Sequence, residues 1–273
     1  MKRKHVKRIG AAVAAFGLGV GIGIAVTRPR DPSEHEAVTR LLELKSPIYC
    51  GAGAKPLVAL TFDDGPGPYS ARLVELLRRH GARATFFEIG RKAASHPDLV
   101  RAELSVGAVG DHSWSHPDLT QLETAAVARQ LASTQRTIES VGGRDVLVFR
   151  PPFGSNDARS LELGDRLGML EVLWSVDSRD ASGATTPSSD EIERNLAQLV
   201  RPGTIVLLHE DEQSPATLDA LQTFLPWLKS HGLRAVTVPE LLAHDLPERE
   251  QVAKGVGGCH VSWHRASSLT YAG

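Results

Sequence analysis

The chain has 273 residues, 41% of them apolar, which is enough for one sizeable core in a single large α/β domain with tails. Against 31 basic side chains stand 32 acidic ones, for a net charge of −1. No overall basic field is available to grip a polyanion, and this argues against nucleic acid as a partner.

The N-terminus departs from that balance. Lys2, Arg3, Lys4, Lys7 and Arg8 precede an uncharged stretch from Ile9 to Thr27, and Arg28 and Arg30 follow it. An apolar run of about 18 residues is near the lower limit for a membrane-spanning helix and longer than a usual signal-peptide core. Gly17, Gly19, Gly21 and Gly23 form two interlocked G-x-x-x-G pairs that let helices approach closely in lipid. Residues 1–30 therefore read either as an uncleaved transmembrane anchor or as a Gly-rich export signal that is removed. Both readings place the domain outside the cytoplasm, membrane-anchored or secreted, because the basic flank stays inside.

Residues 31–54 read as a polar linker with a short helix, Glu34 to Lys45. From Leu57 onward short β-rich runs alternate with longer stretches of helical period. The strand candidates are Leu57–Phe62, Arg83–Ile89, Ala108–Gly110, Val146–Phe149, Leu170–Ser175, Thr204–Leu208 and Leu233–Thr237. Ser70–His80 reads as a helix stopped by Gly81, and Glu123–Ser140 as one stopped by Gly142. Thr120 and Glu123 have capping-box spacing before the second. Seven strands, each followed by a helix, predict an α/β fold: a parallel sheet, closed or nearly closed, with its functional groups on the βα loops. Residues 246–273 read as a polar C-terminal tail. Cys50 and Cys259 flank the 55–245 domain, and in an oxidising compartment they can pair; the alternative is two unrelated thiols.

Chemistry gathers at the strand ends. The first candidate strand runs into Thr61-Phe62-Asp63-Asp64-Gly65-Pro66. Adjacent carboxylates repel, and a metal held by one with the other left as a base relieves that repulsion; an Asp-Gly turn at a solvated tip is the plainer alternative. Asp111 is followed by His112-Ser113-Trp114-Ser115-His116. Histidines at i and i+4 share one face of a helical turn, and with one carboxylate they make a three-ligand site that leaves a position open for water. A pair of exposed histidines around a surface tryptophan is the alternative. Further strand ends carry Arg150 before Pro151-Pro152-Phe153-Gly154, Asp177 and Asp180 after Trp174, and His209 followed by Glu210 and Asp211. The rigid Pro-Pro pair is expected to hold Arg150 at the rim. In one barrel all of these tips converge on one mouth.

Taken together, these residues resemble a polysaccharide deacetylase of carbohydrate esterase family 4, the NodB-homology domain, over roughly Lys55 to His244. The resemblance implies a distorted (β/α) barrel of about seven strands. It implies Asp64, His112 and His116 as ligands of one divalent metal, zinc before cobalt or nickel. It implies Asp63 as the base, Arg150 as its partner, His209 as the acid and Asp180 as the support of that acid. Pro151, Pro152 and Phe153 would wall the substrate groove, and the backbone N–H of Phe153 would face the oxyanion. Ala181 stands where the family commonly has tryptophan, so a wall of the acetyl pocket would be either smaller or supplied from elsewhere, by Trp174 or Phe153; Asp111 stands where asparagine is frequent, read as a neutral variation. The implied substrate is an acetylated polysaccharide, an N-acetyl amino-sugar polymer such as peptidoglycan or chitin, with peptidoglycan favoured if the anchor is retained. The alternatives are an O-acetyl esterase on xylan or a similar glycan, a non-catalytic glycan-binding module, and a phosphoester hydrolase, for which ligands to a second metal are lacking.

Overall fold

The computed structural model describes residues 31–181, 187–210 and 215–259. The leader over residues 1–30, residues 260–273 of the tail, and Asp211 lie outside the described residues. Among the described residues no helix is long and apolar enough to cross a membrane.

Helix α1 (Pro32–Leu42) precedes β1 (Leu57–Gly65), α2 (Ser70–His80), β2 (Ala84–Glu88), α3 (Gly90–Ser95), α4 (Pro97–Leu104) and β3 (Gly107–Asp111). Then follow α5 (Thr124–Gly142), β4 (Val148–Phe149), α6 (Ala158–Arg166), β5 (Leu170–Glu171), β6 (Val176–Asp177) and α7 (Ser189–Leu199). The chain continues through β7 (Ile205–His209), α8 (Pro215–Ser230), β8 (Arg234–Val236), α9 (Val238–His244) and α10 (Arg249–Ala253). The sheet runs β5-β4-β3-β2-β1-β7-β6 with β8 against the start of β1, and its pairings between strands are parallel.

This order forces curvature. Strands β5 and β6 stand at opposite edges of the seven-strand path, yet only residues 172–175 separate them. A flat sheet of that width would span about 29 Å, whereas the chain from Glu171 to Val176 reaches at most about 18 Å. The sheet therefore curls into the distorted barrel that the strand pattern predicts. The single strand expected over Leu170–Ser175 stops at Glu171, and β6 begins only after Ser175, across the gap, with no helix between the two. Ile48 bridges to Val172 and Cys50 to Thr204, so the segment after α1 lies against both sides of the opening. Residues 31–54 are thus packed rather than polar linker throughout, with Ala37, Val38, Leu41, Ile48 and Cys50 buried.

The period-2 alternation of β1 sets the two layers of the core. Val58, Leu60 and Phe62 join the cluster under α2, α5 and α8, with Leu73, Leu131 and Leu221. Leu57 and Ala59 join the inner cluster with Phe87, Val148, Ile205 and Val236. Continuing the inner series, Thr61 and Asp63 bring polar atoms to the barrel mouth.

Helix α2 ends at Gly81 in the left-handed region, as expected. The expected capping box before α5 does not form: Glu123 is the N-cap without a side-chain cap bond, and the Thr120 hydroxyl bonds to Asp118 instead. The helix continues through Gly142 and stops at Gly143, whose φ is 62°. Beyond Leu246 the tail forms α10, and Cys259 is joined to Cys50 by a disulfide that closes 209 residues of chain. Closing so long a loop removes unfolded-state freedom. Replacing Cys259 by Ala should cost about 2–5 kcal/mol, read as a lowered midpoint in urea unfolding under oxidising conditions, with no further effect of reductant on the variant.

Candidate active site

In a regular strand Asp63 and Asp64 would face opposite sides. Pairing of β1 with β2 shifts register between Asp63 and Gly65, and Asp64 has a φ of 72°. This bulge turns Asp64 to the mouth beside Asp63. The strand thus runs to Gly65, three residues past its expected end, and carries both carboxylates.

His112 and His116 converge as well, though not on a helical turn. Residues 112–116 form a loop in which Ser113 and His116 both have a φ of 63°. Asp111 Oδ1 accepts the Ser113 N–H at 2.7 Å, the Ser113 hydroxyl accepts the His116 N–H at 3.1 Å, and Gln130 Oε1 accepts the Ser115 N–H at 2.9 Å. Asp111 is therefore a positioning carboxylate for this loop. The i, i+4 spacing reads equally well as a helix; the local bonds of Asp111 and Ser113 and the longer-range one from Gln130 select the loop.

Nε2 of His116 lies 3.0 Å and Nε2 of His112 lies 3.6 Å from Asp64 Oδ1. One donor atom from each of the three residues lies within 4.8 Å of the others. Ligands about 2.0–2.1 Å from a tetrahedral ion stand about 3.3 Å apart, so these separations fit a single zinc-sized ion. Asp64 Oδ1 is buried without a hydrogen-bond partner, a further sign of a ligand atom. The backbone oxygen of Arg150 lies 2.8 Å from Nδ1 of His112 and accepts its proton, which leaves the Nε2 lone pair facing Asp64. Burial depresses His112 and outweighs the charges of Asp63 and Asp64, so the ring is neutral, as a ligand must be. For Asp64, burial acts upward, but the neighbouring imidazoles of His116, His112 and His209 prevail and hold the carboxyl well below its usual range.

Asp63 stands outside that donor set. Its Oδ1 accepts from Arg150 Nη1 at 2.7 Å, and its Oδ2 is 3.8 Å from His112 Nε2. Arg150 is not at the rim: it is 0% exposed, beneath the site. Nε donates to Val172 O, Nη1 also to Thr61 Oγ1, and Nη2 to Leu173 O, at 3.0, 2.8 and 3.1 Å. The guanidinium lies 4.2 Å from the Phe87 ring centre and 5.5 Å from that of Trp174.

On the far side of the mouth, β1–β7 pairing sets His209 opposite Asp63. His209 Nδ1 bonds to Asp180 Oδ1 at 2.8 Å, and its backbone N–H donates to Asp180 Oδ2 at 2.9 Å. Burial pulls the imidazole down, but the bond to Asp180 and the charges of Asp180, Asp63 and Asp64 outweigh it and push His209 up to about 9. Thr217 on α8 also donates to Asp180 Oδ2, at 2.8 Å. Lys92 donates to the backbone oxygen of Asp64 at 2.7 Å. Neither residue stands out in the sequence; each is an isolated polar side chain on a helix. Asp177 is exposed and caps the Arg179 N–H instead of joining the site.

The expected groove wall is only partly at the surface. Pro151 and Pro152 are buried, while Phe153, with a φ of 62°, is 68% exposed and sets its ring edge-on to His116 with centroids 4.6 Å apart. Trp174 lies under this turn; a Cβ on Gly154 would come within 2.8 Å of its indole. Ala181 is exposed at the lip after Asp180.

Residues 51–172 match the family model for polysaccharide deacetylase. A chitooligosaccharide deacetylase of Azorhizobium caulinodans is 34% identical over 197 residues, 67% of this chain and 92% of the relative. The chain belongs to the polysaccharide deacetylase family. A peptidoglycan-N-acetylglucosamine deacetylase of Listeria monocytogenes is also 34% identical, over 74% of this chain. The chain spans only 42% of that relative's length. The structure also resembles a pseudoenzyme of carbohydrate esterase family 4 from Bacillus anthracis, with a TM-score of 0.67 and 31% identity over 72% of this chain and 69% of that one. Similarity of this degree thus does not separate an active deacetylase from an inactive relative, and the side chains at the mouth carry the argument.

Among those side chains the Arg150–Asp63 pair also bears on stability. Arg150→Met should destabilise the protein by about 3–5 kcal/mol in urea unfolding, because it strands a buried carboxylate. Adding Asp63→Asn should recover part of that loss.

Proposed function

We propose that the chain is a metal-dependent deacetylase that removes N-acetyl groups from an amino-sugar polymer outside the cytoplasm, with peptidoglycan N-acetylglucosamine as the favoured substrate and zinc as the favoured metal. One observation carries this reading: a three-donor set of two imidazoles and a carboxylate stands beside a carboxylate that is held outside it by a buried arginine. Binding alone requires neither that second carboxylate nor the His209–Asp180 pair opposite. The names of the Listeria and Azorhizobium relatives support an N-acetylglucosamine polymer. The disulfide and the basic, apolar leader support export.

Asp64 Oδ1 and the Nε2 atoms of His112 and His116 would hold the metal. When bound, it supplies Lewis acidity towards the acetyl carbonyl and lowers the pKa of water. Asp63 takes the proton of the attacking water at its carboxylate, and Arg150 holds that carboxylate in place. His209, with Nδ1 committed to Asp180, delivers a proton from Nε2 to the departing sugar nitrogen, which leaves poorly as an anion. The Phe153 N–H is assigned to the oxyanion and its ring to the acetyl side of the groove. Trp174 supports this turn from below, and Pro151 and Pro152 fix its backbone.

Acetate release by the full-length protein from N-acetylglucosamine oligomers tests the proposal, with metal-stripped and zinc-restored samples. Activity should require the metal, and Asp63→Asn should lower turnover by about 10²–10⁴-fold with zinc content unchanged. Release from acetylated xylan but not from these oligomers would replace the amide reading with an ester one.

The pH profile isolates the acid. His209, raised to about 9, is protonated below that pH and loses its proton above it, so kcat should fall on the alkaline side near pH 9. In Asp180→Asn the alkaline limb should move down towards 6.5; an unmoved limb would remove His209 from this role.

A further inference from the structure

Behind the mouth lies a second group of acids that the deacetylase chemistry does not use. Strand alternation creates it: His209 faces the mouth, and the next residue, Glu210, turns to the outer side. Glu88, at the end of β2, faces outward between the sheet and the helices, and Glu103 reaches the same place from α4. All three are buried, at 0%, 0% and 1% exposure for Glu88, Glu103 and Glu210, and an oxygen from each lies within 4.8 Å of the others. Glu210 Oε2 accepts from the Ser70 hydroxyl at 2.7 Å, and that hydroxyl accepts the Gly67 N–H at 2.8 Å. Both oxygens of Glu88, both of Glu103 and Oε1 of Glu210 are buried without a hydrogen-bond partner. Glu103 is thus an unpartnered carboxylate aimed from the helix layer into the Glu88–Glu210 pair. Gly65 makes room for the group, since a Cβ there would overlap the carboxylates of Glu210 and Glu88.

Three ionised carboxylates cannot share such a place without a counter-charge. Burial first, and then the charge of Glu210, raises Glu103 well above the usual range. Lys92 acts on Glu88 and Glu210 from a distance, with its Nζ bonded to Asp64 O. Either protons or a cation must complete the neutralisation. The donor chemistry differs from that of the mouth: up to six carboxylate oxygens and one hydroxyl, with no nitrogen or sulfur. Hard cations take such sets, and Ca²⁺ accepts about 6–8 oxygens in irregular geometry, whereas Mg²⁺ keeps several waters and a strict octahedron. A buried cage closed by side chains from three elements suits the larger ion.

We propose that Glu88, Glu103 and Glu210 bind a Ca²⁺ ion in a buried structural site separate from Asp64, His112 and His116. The ion ties together the strand tips that carry the mouth. Glu88 O accepts the His112 N–H at 2.9 Å, Glu210 N–H donates to Asp63 O at 3.1 Å, and Gly65 lies between the two carboxylates. Holding these side chains therefore holds the backbone of Asp63, Asp64, His112 and His209.

The test uses full-length protein, treated with chelator, dialysed and titrated with Ca²⁺, with bound metal measured by plasma mass spectrometry and unfolding followed by heat. Wild type and His116→Ala should each bind one Ca²⁺ per chain and unfold at a higher temperature with it. Glu103→Gln should lose the Ca²⁺ and the thermal shift while keeping its zinc. Infrared difference spectra of the wild type need no variant: the band of protonated carboxyl groups should be present after chelation and vanish on adding Ca²⁺. No Ca²⁺ bound to the wild type, Ca²⁺ retained by Glu103→Gln, or a carboxyl band indifferent to Ca²⁺ would overturn the proposal in favour of shared protons. None of these readouts depends on acetate release, so failure here and failure of the deacetylase reading are distinguishable.

Discussion

The burial of Arg150 is the constraint on which the mouth depends. A guanidinium with no exposed surface survives only if its donors are met, and here they are met by Asp63, Thr61 and the backbone oxygens of Val172 and Leu173. Those partners come from the central strand and from the link that crosses the barrel gap. One side chain thus joins the middle of the sheet to its open edge. The same residue's backbone oxygen fixes the tautomer of His112. Removing the charge would therefore disturb Asp63 and the link at once.

Around this anchor the mouth is built from backbone that most residues avoid. Asp64, Ser113, His116, Phe153 and Arg179 all have φ values between 62° and 72°. Each such non-glycine position costs about 1–3 kcal/mol, and a fold keeps it only where surrounding contacts fix it. Here the contacts are specific: the bulge in β1, the Asp111–Ser113 and Ser113–His116 bonds, and Trp174 beneath the Phe153 turn. The disulfide and α1 then brace the segment that lies along the gap at β5 and β7.

Much of this was legible in the sequence because apolar runs that stop at polar residues mark strand tips. Tips of a parallel sheet share one end, so Asp63, Asp64, Arg150, Asp180 and His209 could be brought to one mouth without coordinates. What was not legible depends on long-range contact. The i, i+4 histidines satisfy helical spacing and loop spacing alike. Leu170–Ser175 has the composition of one strand, but only Leu170–Glu171 forms one, because the rest of the run crosses the barrel gap. Thr217 supports Asp180 from 37 positions away, with no local sign of doing so. Glu88 did carry a signal, since a charged residue closing the run Ala84-Thr85-Phe86-Phe87 requires a partner; Glu103 carried a weaker one, beside Val100 and Leu104 on the buried face of α4.

The two halves of the mouth also make each other's chemistry possible. Asp63 faces a permanent cation, and His209, opposite it on the neighbouring strand, faces the buried carboxylate of Asp180. Without Asp180, burial would leave His209 neutral and unable to protonate a leaving nitrogen. Asp64 lies beside Asp63, and both contribute to the potential that holds the proton on His209. A cation bound there would cancel part of that contribution, which leaves Asp180 as the principal reason the acid remains charged. The demand on Asp180 accounts for its three donors, two from His209 and one from Thr217.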